Sequence, residues 1–111
     1  MNGSQELGEN IADLVGLAAA YDAWKASLGG KESPVIDGFT GDQRLFIGFG
    51  QIWRTKMRDE QMRVQILSNP HSPGEYRANG PVSNLDAFYA AFSVNPGDKM
   101  YRDPEHRVRI W

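Results

Sequence analysis

Glu9 and Asp13, in the run Gly8-Glu9-Asn10-Ile11-Ala12-Asp13, are four residues apart. On a helix that spacing sets them about 40° apart around the axis. Like charges there repel by a few tenths of a kcal/mol. At the edge of a buried face the cost grows unless a cation or a donor meets them. A metal ion would do so, with one carboxylate as ligand and the other orienting a neighbouring ligand. The plainer reading is helix-start chemistry, since acidic residues in a first turn complement the macrodipole. Glu-x-x-x-Asp alone is too weak a pattern to decide.

A second group lies in Asn69-Pro70-His71-Ser72-Pro73-Gly74-Glu75-Tyr76-Arg77. A histidine in a proline-fixed loop, with an arginine six residues on, could stabilise an oxyanion and hold a carbonyl or carboxylate. The alternative is a surface turn with an exposed His71 and a structural Arg77. His106, in the charged tail, is expected to be solvated. The chain has no His-Glu-x-x-His, no Walker-type loop, no dinucleotide fingerprint and no Gly-x-Ser-x-Gly elbow.

The elements that must position these groups are mostly helical. A first helix is predicted over Gly8 to Leu28, stopped by Gly29-Gly30. One side carries Ile11, Leu14, Ala18 and Tyr21. The other carries Ala12, Gly16, Ala19, Ala20 and Ala23, which predicts a close neighbour. Thr40 and Gln43 predict a capping box for a second helix, with the apolar stripe Leu45, Phe46, Phe49, Ile52, Trp53 and Met57. Gly48 and Gly50 weaken that helix, so close packing is expected there. A third helix is predicted near Asp59 to Ser68, with Met62, Ile66 and Leu67 inward. Asn69 to Val82 reads as loop or extended chain. Ser83 is predicted to open a last helix, with Asp86 completing a capping box and Leu85, Phe88, Tyr89 and Phe92 inward. The tail is irregular, with Val108, Ile110 and Trp111 as anchors. The fold class is mainly α: three to four helices with long loops.

Composition narrows the function. The chain has 111 residues, enough for one domain. It is 41% hydrophobic, which supplies a core, and 12 basic against 14 acidic residues argue against nucleic acid. There is no cysteine, hence no disulfide, thiolate ligand or thiol nucleophile. The longest apolar run, Leu14 to Tyr21, is too short to span a membrane, and the first residues do not read as a leader.

Taken together and in order, these stretches resemble the neprilysin and endothelin-converting-enzyme family of zinc metallopeptidases. Gly8 to Leu14 resembles its Glu-Asn-x-x-Asp signature. Val35 to Arg44, Trp53-Arg54, Asn69 to Gly74 with Arg77, and Asn79-Gly80 are similar to its later segments, and Trp111 to its usual final residue. The resemblance implies the C-terminal portion of a zincin-like catalytic domain, residues 1–111 being one piece of a larger peptidase. It implies Glu9 as third zinc ligand, Asp13 as the carboxylate orienting a zinc-bound histidine, His71 as oxyanion stabiliser and Arg77 as the arginine on a substrate carbonyl. It implies zinc as cofactor, peptides as substrates and the upstream part of the same domain as partner.

The departures matter. The family's His-Glu-x-x-His is absent from this chain, so the chain by itself is expected to be inactive. Val15 stands where many members have glycine. The lack of cysteine is similar to bacterial members, which leaves an exported or a cytoplasmic location open. With the zinc helix missing, the Ala12/Gly16/Ala20 face is expected to be exposed or to self-associate. A non-enzymatic peptide-binding module is the alternative function.

Overall fold

The structure, a computed structural model, describes residues 1–110. Trp111, expected as a tail anchor, lies outside them. Five helices are described: α1 Gly3–Ser27, α2 Gly41–Ile52, α3 Asp59–Ser68, α4 Gly74–Val82 and α5 Asp86–Phe92. A 3₁₀ turn, Pro104–His106, follows. The described residues contain no strand beyond an isolated bridge between Ile36 and Phe39. The mainly α class holds, with one helix more than expected. No described helix is long and apolar enough to cross a membrane.

α1 starts five residues earlier than the spacing predicts. Asn2 is its cap, its side chain accepting from the amides of Ser4 and Gln5 at 3.2 and 3.3 Å. Gly29 and Gly30 follow the helix at φ +59° and +80°, a conformation that suits glycine and ends the helix. α2 has the predicted box: Thr40 Oγ accepts from Gln43 N, and Gln43 Oε1 from Thr40 N.

α4 overturns the loop expected over Asn69–Val82. Gly74, Gly80 and Pro81 read as breakers, but Pro81 sits in the last turn, where little helix remains to break. Its burial, with Val82, offsets its missing donor. Ser83 consequently closes α4 instead of opening α5, its hydroxyl donating to the Gly80 carbonyl. α5 begins after Leu85 with no side-chain cap, so the predicted Ser83–Asp86 box does not form.

The core lies where α1, α2, α4 and α5 meet. Leu17, Phe46 and Val82 are its centre, ringed by Tyr21, Phe49, Leu85, Phe88 and Phe92. Phe46 stacks on Tyr21 and meets Phe88 edge-on. The close approaches fall at other glycines than expected. A Cβ on Gly48 or Gly50 would meet nothing within 4 Å. On Gly74 it would lie 2.6 Å from the Trp53 carbonyl, so only glycine lets α4 start against the end of α2. α3 buries no residue, and Leu67, expected inward, is 83% exposed. Val108 and Ile110 are about half exposed, and the tail is anchored by polar contacts instead.

The chain leaves much of itself uncovered. Its accessible surface is 7702 Å² at 12.4 kDa, against about 6,100 Å² for a folded monomer of that mass. The radius of gyration is 15.4 Å, against about 13 Å for a compact chain of this length. Ala12, Gly16, Ala19, Ala20 and Ala23 are all exposed.

Candidate functional site

The site is built where α1 faces α4 and the loop before it. α1 presents Glu9 and Asp13 one turn apart, and the loop and α4 present His71 and Arg77. All four predicted residues meet across this junction in two pairs, Arg77 with Asp13 and His71 with Glu9.

Arg77 donates from Nε to Asp13 Oδ2 and from Nη2 to Asp13 Oδ1, each at 2.8 Å. This parallel fork is the strongest carboxylate–guanidinium geometry. Both side chains are largely buried. The guanidinium lies on the Trp53 ring, 3.9 Å from its centroid. Hydrogen bonding to Asp13 holds the Arg77 pKa above its ordinary value, with the charge of Glu9 adding to it. Among the described residues Nη1 makes no hydrogen bond, so one face of the guanidinium keeps donors for a ligand.

His71 Nε2 stands 3.0 Å from Glu9 Oε2, with both side chains partly exposed. Asn69 orients the ring. Its Oδ1 accepts from the His71 backbone amide at 2.9 Å and lies 3.0 Å from Nδ1. The backbone contact identifies the oxygen end of the amide, so Nδ1 is the protonated nitrogen facing it. Behind this pair, buried Ser72 donates from Oγ, within reach of Glu6 Oε2 and Asn10 Oδ1.

Asp13 is therefore met by the Arg77 guanidinium from the facing helix, and Glu9 by the His71 ring from the loop. For a metal, Glu9 offers a partly exposed carboxylate at the rim, while both Asp13 oxygens are engaged by Arg77. A catalytic zinc takes three protein ligands, and no three metal-capable side chains converge here. Among the described residues the only such group is exposed Asp103, Glu105 and His106 in the tail. The donor set fits zinc as one ligand of an incomplete site.

Two residues of the site were not singled out from the sequence. Asn69 was legible, since an Asx side chain commonly bonds the backbone two residues on. Trp53 carried no such signal, because its contact with Arg77 exists only after α2 and α4 pack.

A family model for peptidase family M13 matches residues 1–108. The chain is 35% identical to Neprilysin-3 of Drosophila melanogaster, over the whole chain and 14% of that protein. It is 40% identical to the neutral endopeptidase of Lactobacillus helveticus, over the whole chain and 16% of that protein. It also superposes on the zinc metalloprotease Zmp1 of Mycobacterium tuberculosis, solved by cryo-EM in an open state. The TM-score is 0.95 at 52% identity, covering 98% of this chain and 17% of that one. The chain thus spans about a seventh of the length of the two relatives.

Proposed function

The chain belongs to peptidase family M13, and from that premise we propose that it forms the C-terminal part of the catalytic domain of a zinc metalloendopeptidase acting on short peptides. The observation that carries the reading is the convergence of Glu9 and Asp13 on α1 with His71 and Arg77 across one junction. The surplus accessible surface supports a piece seated in a larger domain. The exposed Ala12/Gly16/Ala20 face would seat the helix that brings the remaining metal ligands.

Glu9 is the residue that would hold zinc. Bound zinc polarises a scissile carbonyl and lowers the pKa of a water. His71, held by Asn69 through Nδ1, aims Nε2 at the rim, where a protonated ring donates to a developing oxyanion. Arg77 offers Nη1 to a substrate carbonyl, while Trp53 and Asp13 keep the guanidinium planar to the junction. Asp13 is a positioning residue for that arginine and, in the complete domain, for a metal-bound histidine.

The test uses the full-length enzyme. H71Q is expected to lower kcat about 10²–10³-fold with little change in KM, as loss of one oxyanion donor does. E9Q is expected to lose bound zinc, read by metal analysis. Full activity of H71Q would overturn the reading. This chain alone is expected to be inactive and to self-associate through the small-residue face, which light scattering reads directly. A non-enzymatic peptide clamp is favoured by one observation only: protein partners alone, Asn69 and Asp13, hold His71 and Arg77. Peptide binding that persists in chelator, disappears in R77A and accompanies no activity in the full-length protein would select it.

A further inference from the structure

Trp53 closes α2, and its neighbours fix where its ring lies. Its backbone amide donates to the Gly50 carbonyl at 3.2 Å. Phe49, one turn back, meets the ring edge-on at 6.4 Å between centroids. The Trp53 carbonyl abuts Gly74, where a Cβ would come within 2.6 Å of it. α4 therefore starts hard against the residue that carries the ring. Arg77, one turn further on, comes to rest over the ring at 3.9 Å from its centroid.

Hydrogen bonding does not account for a tryptophan here. Its Nε1 is buried and has no partner among the described residues. That is a cost which phenylalanine would not carry. What tryptophan supplies over phenylalanine is the best cation-binding face of the aromatic side chains. The face lies under a guanidinium only 18% exposed, where water screens the attraction little.

The fork to Asp13 leaves one motion free. Its two parallel bonds keep the guanidinium in the plane of the carboxylate. The terminal torsion of an aspartate is broad, so fork and carboxylate can swing together. A ring against one face stops that swing. We propose that Trp53 is a positioning residue for peptide substrate: its indole face sets the angle at which Arg77 aims Nη1, and so the grip on a substrate carbonyl. This rests on the reading of Arg77 as the group that binds that carbonyl. His71 serves the carbonyl under attack. A hold on a different carbonyl grips substrate and transition state alike, so its loss appears in KM and not in kcat.

The test uses the full-length enzyme and a short peptide substrate. Fluorinated tryptophans placed at position 53 keep the ring's outline and drain its face of negative charge. With each added fluorine KM is expected to rise, to about fivefold overall, while kcat stays within about twofold. W53L is expected to raise KM about tenfold and to change nothing further once R77M is present. A KM without trend across the fluorinated series overturns the proposal, and so does a loss confined to kcat. Equal effects of W53L with and without R77M also overturn it, because the ring then acts through something other than Arg77. An unchanged KM in R77M overturns both the carbonyl-binding reading and the role of Trp53. A raised KM in R77M beside an unmoved fluorinated series overturns the role of Trp53 alone. The fluorinated proteins keep the shape of the ring, and they decide the matter should W53L or R77M fail to fold.

Discussion

Two arginines in this chain sit over aromatic rings and end on an aspartate, in settings that differ. Arg77 lies 3.9 Å from the centre of Trp53 and gives two bonds to Asp13, whose side chain is 14% exposed. Arg107 lies 3.6 Å from the centre of Tyr89 and gives one bond to Asp86, which is 54% exposed and also takes two bonds from Arg109. The same parts thus make a buried, exclusive pair at the site and, in the tail, a shared clasp whose arginine is 8% exposed but whose aspartate stays wet. In the buried pair each charge depends on the other, because water no longer solvates either. In the clasp water reaches Asp86 and Arg109 and can stand in for either of them. The tail therefore relies on neutral contacts as well: Val108 N donates to Asn84 Oδ1 at 2.7 Å, and Arg102 N to Tyr89 Oη at 3.0 Å.

The largest effect should come from breaking the buried pair on one side only. R77M leaves Asp13 without its counter-charge, and about 3 kcal/mol of unfolding free energy should be lost. The double variant D13N/R77M should recover a substantial part, since no charge is then stranded. Urea unfolding of the four members of that cycle gives the coupling directly. D86N should cost well under half as much as R77M. Comparable losses at the two sites would erase the distinction drawn from burial.

The contrast also shows what a sequence can disclose. The Thr40–Gln43 cap and the Gly29-Gly30 stop were legible because their partners lie within four residues. The meeting of Glu9 and Asp13 with His71 and Arg77 was expected from family resemblance. The pairing of Asp13 with Arg77, 64 residues apart, is a product of α1 packing on α4. α4 itself was hidden by Gly74 and Gly80-Pro81, residues that punctuate most chains but here sit at its ends. The Ser83–Asp86 box failed for the same reason: Ser83 was already the end of α4, and Asp86 was taken by Arg107 and Arg109. Close packing was placed at Gly48 and Gly50, whereas the tight contacts are at Gly41 and Gly74. Local spacing reports which glycines a helix tolerates, not which backbone comes near.

An intermediate effect should come from the neutral contact beneath the clasp. Tyr89 is buried, and its hydroxyl donates to the Ser83 carbonyl at 2.6 Å while accepting from Arg102 N. It ties the end of α4 to the tail. Y89F keeps the ring under Arg107 and removes only that oxygen, at an expected cost of about 1–2 kcal/mol. Hydrogen exchange should quicken most at the Arg102 amide. A loss at Y89F smaller than at D86N would mean that charge, not the phenol, holds the tail.

The smallest effect belongs to Asp86 and should be visible chiefly through pH and salt. Hydrogen bonds from Arg107 first, then Arg109, hold its pKa below the ordinary carboxylate value. A depressed folded pKa contributes stability that is present above the unfolded value of about 3.9. That contribution is lost as pH falls through the lower folded value. Carboxyl NMR of Asp86 should therefore show a midpoint below 3.9 at low salt. One molar salt shortens the screening length to about 3 Å and should move the midpoint upward. A midpoint for Asp86 at or above the ordinary value, or one that salt leaves unmoved, would mean that Arg107 and Arg109 do not hold its carboxylate.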